Sequence, residues 1–330
     1  MPRTLRPATG CGTRSGPSGV RVFVAGATGV IGRRLVPLLV QAGHEVTGMT
    51  RSPERVEEIT SRGAEAVVCD ALDADALKTS VGQARPEAIV HELTNLPSDL
   101  EPRKYKTQLA ATNRLRREGT RNLVAAMKAA GAQRIVAQSI AFAYAPSGEW
   151  VKTEDASLAL DAPPPMGTAI GAVADLERQV LEAAGTVLRY GFFYGPGTAL
   201  AADGFYAQLA CKRRFPVIGS GEARWSFVHV DDAAAATVAA LERGSGGVYN
   251  IVDDDPAPAR EWIPAYAAAA GAKLPWRVPV WLGRLGGGSA AVAGMTTQRG
   301  ASNDKAKREL GWAPSYASWR EGFRATLSGP

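Results

Sequence analysis

The chain has 330 residues, 45% of them hydrophobic and 21% charged, which is enough to bury a large core and ordinary for a soluble globular protein. No apolar run approaches the roughly twenty residues needed to span a bilayer, so no membrane partner is expected. The net charge of +6 calls for no nucleic acid, because half of it, Arg3, Arg6 and Arg14, stands in an acid-free stretch at the amino terminus.

Residues 1–19 are rich in Pro, Gly, Ser, Thr and Arg and lack the apolar core of a secretory signal, so they read as a disordered tail. Cys11, Cys69 and Cys211 are odd in number and unclustered. That argues for a reducing compartment, the cytoplasm, and against a disulfide framework or structural zinc.

Arg21–Ala25 is an apolar run short enough for a buried strand. Gly26, Gly29 and Gly32 follow at three-residue intervals, Arg33–Gln41 carries helical periodicity up to Gly43, and Glu45–Thr50 supplies a second strand. Strand, glycine turn, helix and strand make a β-α-β unit whose crossover should be right-handed and parallel. The helix start turns unpaired N–H groups and a positive dipole end toward whatever lies over the turn, and a pyrophosphate fits there. Gly26 allows the turn, Gly29 lets the backbone approach the phosphates and Gly32 lets the helix pack against the strand. Thr28, Val30 and Ile31 complete the turn and are expected to line the nucleotide.

The second strand ends in Thr50-Arg51-Ser52, with no carboxylate before Glu54 to accept a ribose 2′-hydroxyl. A guanidinium and a hydroxyl suit a 2′-phosphate instead, so NADP(H) is expected over NAD(H), with Arg51 forking the phosphate and Ser52 beside it. A solvated surface role for Arg51 is the alternative.

A helix over Pro53–Arg62 leads to a third strand, Ala66–Cys69, after which Asp70 and Ala71 reach the adenine side. Asp70 can accept from the adenine amino group or cap the next helix, Asp73–Val81. A fourth strand, Ala88–Leu93, brings Leu93 and Thr94 beside the cofactor, with His91 read as a packed core histidine. Tyr105–Ala130 reads as one long helix, broken near Gly119, whose Arg114, Arg116, Arg117 and Arg121 form a solvated face. Arg134–Gln138 is the fifth strand and delivers Ser139 and then Tyr144 into the crevice where ligands of open α/β sheets bind. After Pro163-Pro164-Pro165 come a helix, Thr168–Ala183, a sixth strand, Thr186–Tyr190, and its exit loop Gly191–Gly197. The chain then leaves through a loop-rich part, Phe215–Arg224. It returns by Ser226–Val230, the helix Asp231–Arg243 and the strand Val248–Val252. Pro256–Pro330, with a Gly-rich stretch at Gly283–Gly288, reads as a lid.

These motifs together resemble the extended and atypical short-chain dehydrogenase/reductase superfamily, in its NAD(P)-dependent epimerase/dehydratase branch. The resemblance rests on Gly26-Ala27-Thr28-Gly29-Val30-Ile31-Gly32, on Leu188-Arg189-Tyr190 through Tyr194-Gly195-Pro196-Gly197, on Phe227-Val228-His229-Val230-Asp231-Asp232, and on Lys305 through Trp312 with Pro314. It implies an α/β protein with a doubly wound parallel sheet. Residues 20–198 and 226–253 would form the nucleotide domain, and residues 199–225 and 254–330 a small substrate lobe. It also implies an NADP(H)-dependent oxidoreductase or epimerase acting on a carbonyl or secondary alcohol of a small molecule, as a monomer or homodimer. Tyr190 would touch the cofactor, and Phe192, Arg224 and Trp225 the substrate, with Arg224 meeting a diphosphate or stacking on Trp225 as a cation–π pair.

One departure bears on mechanism. In that family a Tyr four residues before a Lys moves the proton, since a phenol with its ordinary pKa of about 10 is a poor base without a nearby cation. None of the eight tyrosines here has a lysine four residues on, and the family positions fall on Ala169 and Val173. Ser139 and Tyr144 are left as the candidates to hold the substrate oxygen and supply the proton, with Tyr190 behind them. Arg116 stands where the family often has Asn, and Asn113 lies one turn earlier. Two other readings stay open: a redox-silent NADP(H)-binding sensor or scaffold, and a non-redox cyclase or lyase on the same fold.

Overall fold

The computed structural model describes residues 19–97 and 99–327, so the tail reading of residues 1–19 lies outside the described residues apart from Gly19. The chain opens with β1 (Arg21–Ala25), α1 (Gly32–Gln41) and β2 (Glu45–Thr50). In β1 the side chains alternate between two cores, Val22 and Val24 on one face of the sheet and Phe23 and Ala25 on the other. A strand covered on both faces reads as a continuous apolar run, as here. Helix α1 lays Leu35, Val36 and Leu39, all fully buried, against the first of these faces.

Next come α2 (Val56–Thr60), β3 (Glu65–Val68), α3 (Ala74–Ala84) and β4 (Ala88–His91). Asp73 caps α3 by accepting from Ala76 N–H, whereas Asp70 accepts from Leu72 N–H in a turn, so the capping role belongs to Asp73 and not Asp70. The expected long helix is in fact three, α4 (Tyr105–Gln108), α5 (Ala110–Arg114) and α6 (Thr120–Ala130). A single π turn at Leu115–Gly119 joins the last two. Its arginines do not all face solvent: Arg116 is buried.

β5 (Arg134–Ile140) follows, then the edge piece β6 (Val151–Lys152), α7 (Met166–Glu182) and β7 (Thr186–Tyr190). After β8 (Phe192–Tyr194), α8 (Phe205–Cys211), β9 (Val217–Ile218), β10 (Arg224–Trp225) and β11 (Phe227–His229), the chain runs through α9 (Val230–Arg243) into β12 (Gly247–Ile251). The seven main strands form one parallel sheet in the order β12-β7-β5-β4-β1-β2-β3. Helices α1 and α9 cover one face; α3, α6 and α7 cover the other.

The last segment holds β13 (Ala257–Pro258), α10 (Ala259–Ala269), β14 (Arg277–Val278), α11 (Val280–Thr296), β15 (Gly300–Ala301), α12 (Asp304–Leu310) and α13 (Trp319–Leu327). Its short strands pair with earlier ones, β13 with β10, β14 with β9 and β15 with β6. An aromatic core of Phe227, Trp262, Tyr266, Trp319 and Phe323 fills this part. The Gly-rich stretch is helical, kinked at Gly288 where φ is +79°. Gly283 packs directly on Ile218, leaving no room for a Cβ. Among the described residues no helix is long and apolar enough to cross a membrane.

Candidate active site

The glycine turn sits between β1 and α1 at the carboxyl edge of the sheet. Gly26 has φ +97°, and a Cβ on it would lie 2.7 Å from Glu92 O; on Gly32 a Cβ would run into Gly26 O and Ala27. Gly29 N–H donates to Gly26 O at 3.0 Å, closing the turn. No side chain caps α1 and no acid occupies its first turn, so nothing competes with an anion there. These features fit a dinucleotide phosphate bridge. Around the turn, Ile31 and Thr28 are buried, Val30 is half-buried, and Arg55 donates to Thr28 O at 2.6 Å and to Glu58 at 2.8 Å. Arg51 is exposed and Ser52 half-buried just past β2. Leu93 is buried and Thr94 exposed past β4, and Ala71 is buried past β3.

Ser139 and Tyr144 belong to a buried network beside α7. Ser139 Oγ donates to Glu177 Oε1 at 2.6 Å, and Arg189 donates to both oxygens of the same carboxylate, at 2.9 and 2.7 Å. Arg189 Nη1 also donates to the Tyr144 hydroxyl at 3.0 Å, which in turn donates to Asn250 Oδ1 at 2.6 Å. Burial raises the Tyr144 pKa, with the Arg189 cation acting against it. Burial opposes the Arg189 charge, but Glu177 outweighs it and holds that guanidinium above its ordinary value. Both hydroxyls are therefore already committed to protein partners. Their network joins residues too far apart in sequence for any periodicity to connect them.

Tyr190 turns inward. Its hydroxyl donates to Glu92 Oε1 at 3.2 Å and lies 2.6 Å from Thr237 Oγ1, and burial pushes its pKa well up. Glu92 is buried with Oε2 unpartnered, and desolvation lifts its pKa to about 8. It is thus a neutral acid at pH 7. Unfolded, Glu92 titrates near the ordinary 4.5. Between these two values the unfolded chain has released a proton that the folded chain keeps, so stability falls as pH rises through the window and levels off above it. Glu92→Gln is expected to flatten that slope. Unfolding free energies from urea titration at about pH 5 and about pH 9 should then differ less than in the wild type, by a few kcal/mol; equal slopes in both proteins would refute the assignment.

His91, fully buried, places Nε2 2.9 Å from Thr120 Oγ1 and accepts from Leu93 N–H at Nδ1. Burial and then the Arg116 charge lower its pKa to about 4, so the ring is neutral and packed, as its sequence context suggests. His229 likewise packs: it caps α9 and lies 4.6 Å from the Tyr316 ring.

The residues expected to face substrate lie in an aromatic cluster. Phe192 stacks on Phe142 at 4.2 Å and on Trp225 at 3.9 Å, and Trp225 Nε1 donates to Gly294 O of α11 at 2.6 Å. The expected Arg224–Trp225 cation–π pair does not form, because neighbours on a strand point to opposite faces. Arg224 instead reaches Pro256 O at 3.4 Å. Phe142, which the sequence did not single out, lies between Ser139 and Tyr144 and completes this wall.

A parallel doubly wound sheet with a glycine turn at its first crossover defines a Rossmann-type dinucleotide-binding protein. The model of the NAD dependent epimerase/dehydratase family matches residues 22–252, and the chain belongs to that family. It is 47% identical over 309 residues to the 3-diazoavenalumate denitrifying reductase of a Streptomyces species, covering 92% of this chain and 99% of that protein. A 4-hydroxy-2-methyl-3-oxo-4-farnesyl-3,4-dihydroquinoline-1-oxide ketoreductase of Stigmatella aurantiaca is 28% identical over 319 residues, covering 89% and 92%. Among solved structures, the UDP-glucose 4-epimerase of Thermus thermophilus in complex with NAD superposes with a TM-score of 0.69 at 22% identity, covering 93% of this chain and 97% of that one, and shares the fold.

Proposed function

We propose that this chain is an NADP(H)-dependent reductase that removes a diazo group from an aromatic acid and releases it as dinitrogen. The observation that carries the reading is the 47% identity, over 92% of this chain, with the 3-diazoavenalumate denitrifying reductase. Two features of the chain support it. The stack of Phe142, Phe192 and Trp225 builds an apolar aromatic wall whose character suits an aromatic ring. The lack of a Tyr-x-x-x-Lys pair suits a substrate that forms no alkoxide.

The overall change takes one hydride and one proton. Hydride adds to the terminal nitrogen to give an aryl diazene. Its N–H bond then gives up a proton, the carbon–nitrogen bond breaks with its electron pair staying on carbon, and dinitrogen leaves. Of the two protons now available, one ends on that carbon and the other on the phenolate oxygen. A bound nicotinamide supplies the hydride. Gly26, Gly29 and Gly32 would hold the pyrophosphate under the start of α1, while Arg51 and Ser52 would take a 2′-phosphate. Leu93 and Thr94 would border the nicotinamide side. The aromatic wall would exclude water and orient the ring. Carbonyl reduction, the alternative favoured by the 28% identical ketoreductase, needs an acid at the new alkoxide. Tyr144 and Tyr190 both direct their protons to buried acceptors.

The test is incubation of the full chain with a diazophenol carboxylic acid of the avenalumate type and either NADPH or NADH. One dinitrogen should appear per reduced nucleotide consumed, faster with NADPH. Nucleotide oxidation without dinitrogen release would sink the substrate assignment, and preference for NADH would sink the role of Arg51.

A further inference from the structure

Hydride transfer carries one negative charge into the substrate, whichever atom receives it. A closed site must supply a cation or a proton to meet that charge. In this chain the position for a lysine on α7 is occupied by Val173, which is fully buried. The cation stands instead on the neighbouring π turn, which packs against α7 on the same face of the sheet and is tied to it by Arg117 and Asp175. Arg116 lies in the π turn between α5 and α6 and is only 8% exposed. Its sole hydrogen bond among the described residues is a long one, Nη1 to Asn113 Oδ1 at 3.4 Å, and it makes no ion pair there. The neighbouring arginines of the same helix are matched at the surface, Arg114 with Glu118 at 2.9 Å and Arg117 with Asp175 at 2.8 Å.

The direction in which Arg116 faces follows from its flanks. Thr112, one turn before, accepts from Asn95 N–H at 2.9 Å; Thr120, one turn after, meets His91 at 2.9 Å. Thr112, Arg116 and Thr120 share the helix face that covers the chain as it leaves β4, the segment that abuts the glycine turn at Glu92 O. The nearby titratable groups bring no negative charge: His91 is neutral, and Glu92 keeps its proton at neutral pH. Burial lowers the Arg116 pKa only to about 10, so the guanidinium stays charged. A buried charge without a counter-charge is costly to a folded chain. It is understandable where an anion arrives from outside, and single π turns recur at functional sites.

We propose that Arg116 is a catalytic residue that binds the oxyanion of the substrate beside the nicotinamide and meets the negative charge that hydride transfer delivers. This rests on the reductase reading above for the identity of the substrate, a diazophenolate. Its oxygen carries the added charge once the hydride has quenched the positive diazo group. The guanidinium forms charge-assisted hydrogen bonds to that oxygen and gives up no proton. The same geometry would admit an enolate-type oxygen if the acceptor were a different group.

Arg116→Met and Arg116→Lys test the assignment in the full chain. Four readings are taken: NADPH affinity by fluorescence, the thermal midpoint, turnover of the diazophenol acid, and affinity of the NADP-bound protein for 4-hydroxycinnamate, an unreactive aromatic anion. Arg116→Met should keep NADPH affinity within about threefold and lose turnover on the order of 10²-fold or more. Added methylguanidinium, but not the neutral isostere urea, should restore part of that turnover, a rescue that a packing role would not produce. Arg116→Lys keeps the charge and should fall between wild type and Arg116→Met. Turnover within threefold of wild type in a folded Arg116→Met protein overturns the proposal. NADPH affinity falling in step with turnover overturns it too, because the charge would then serve the cofactor. If the wild type releases no dinitrogen, the substrate reading fails by itself, and 4-hydroxycinnamate binding still decides for or against Arg116.

Discussion

Glu177→Ala is expected to destabilise the protein by about 3–5 kcal/mol, the usual cost of stripping one partner from a buried ion pair. The side chains of Glu177 and Arg189 are each 6% exposed. The carboxylate accepts three hydrogen bonds, two from Arg189 and one from Ser139. Without it the guanidinium keeps only the Tyr144 hydroxyl and Glu154 O as acceptors. The loss should be largely recovered in the double variant Glu177→Met, Arg189→Met, since removing both charges leaves no orphan. Urea unfolding of the wild type, the single and the double variant checks this. A single variant within about 1 kcal/mol of wild type would show that the pair contributes no more than an exposed one.

Gly26→Ala is expected to damage both stability and nucleotide binding. At φ +97° an alanine is strained by about 1–3 kcal/mol. Its Cβ would also press on Glu92 O at 2.7 Å, a backbone atom that cannot rotate away, so the chain after β1 and the chain after β4 cannot both stay in place. The turn that Gly29 N–H closes on Gly26 O would then open. If the turn grips the phosphates as proposed, losing two charge-assisted hydrogen bonds to them would weaken nucleotide binding on the order of 10²-fold or more. Titration calorimetry with NADPH, next to a thermal melt, reads both effects. Wild-type affinity in the variant would mean that the phosphates are held elsewhere.

Much of the sheet can be read directly from the sequence. Arg21–Ala25, Glu45–Thr50 and Thr186–Tyr190 come out with the bounds read from their apolar runs, because strands covered on both faces leave little choice of residue. The glycine turn is legible for the same local reason. What stays hidden is long-range. Arg116 looks like one more arginine on a charged helix, and only the π turn and the cover of β4 bury it. Ser139 and Tyr144 look like free hydroxyls at a strand end until Glu177, Arg189 and Asn250 arrive from distant positions. The helix through Gly283–Gly288 contradicts glycine's weak helical propensity, since packing on Ile218 decides there.

β12 is the outermost strand of the sheet beside β7, yet it is separated from it in sequence by β8 through α9. During synthesis, then, the nascent sheet waits with a bare flank until Gly247–Ile251 emerges. A fragment cut at the end of the sixth-strand loop would keep the whole glycine turn but offer the ladder of Thr186–Tyr190 to any passing chain. Such open flanks recruit other copies into aggregates. The segment through Gly197 is therefore expected to aggregate when cut from the rest, however complete its sequence signature looks.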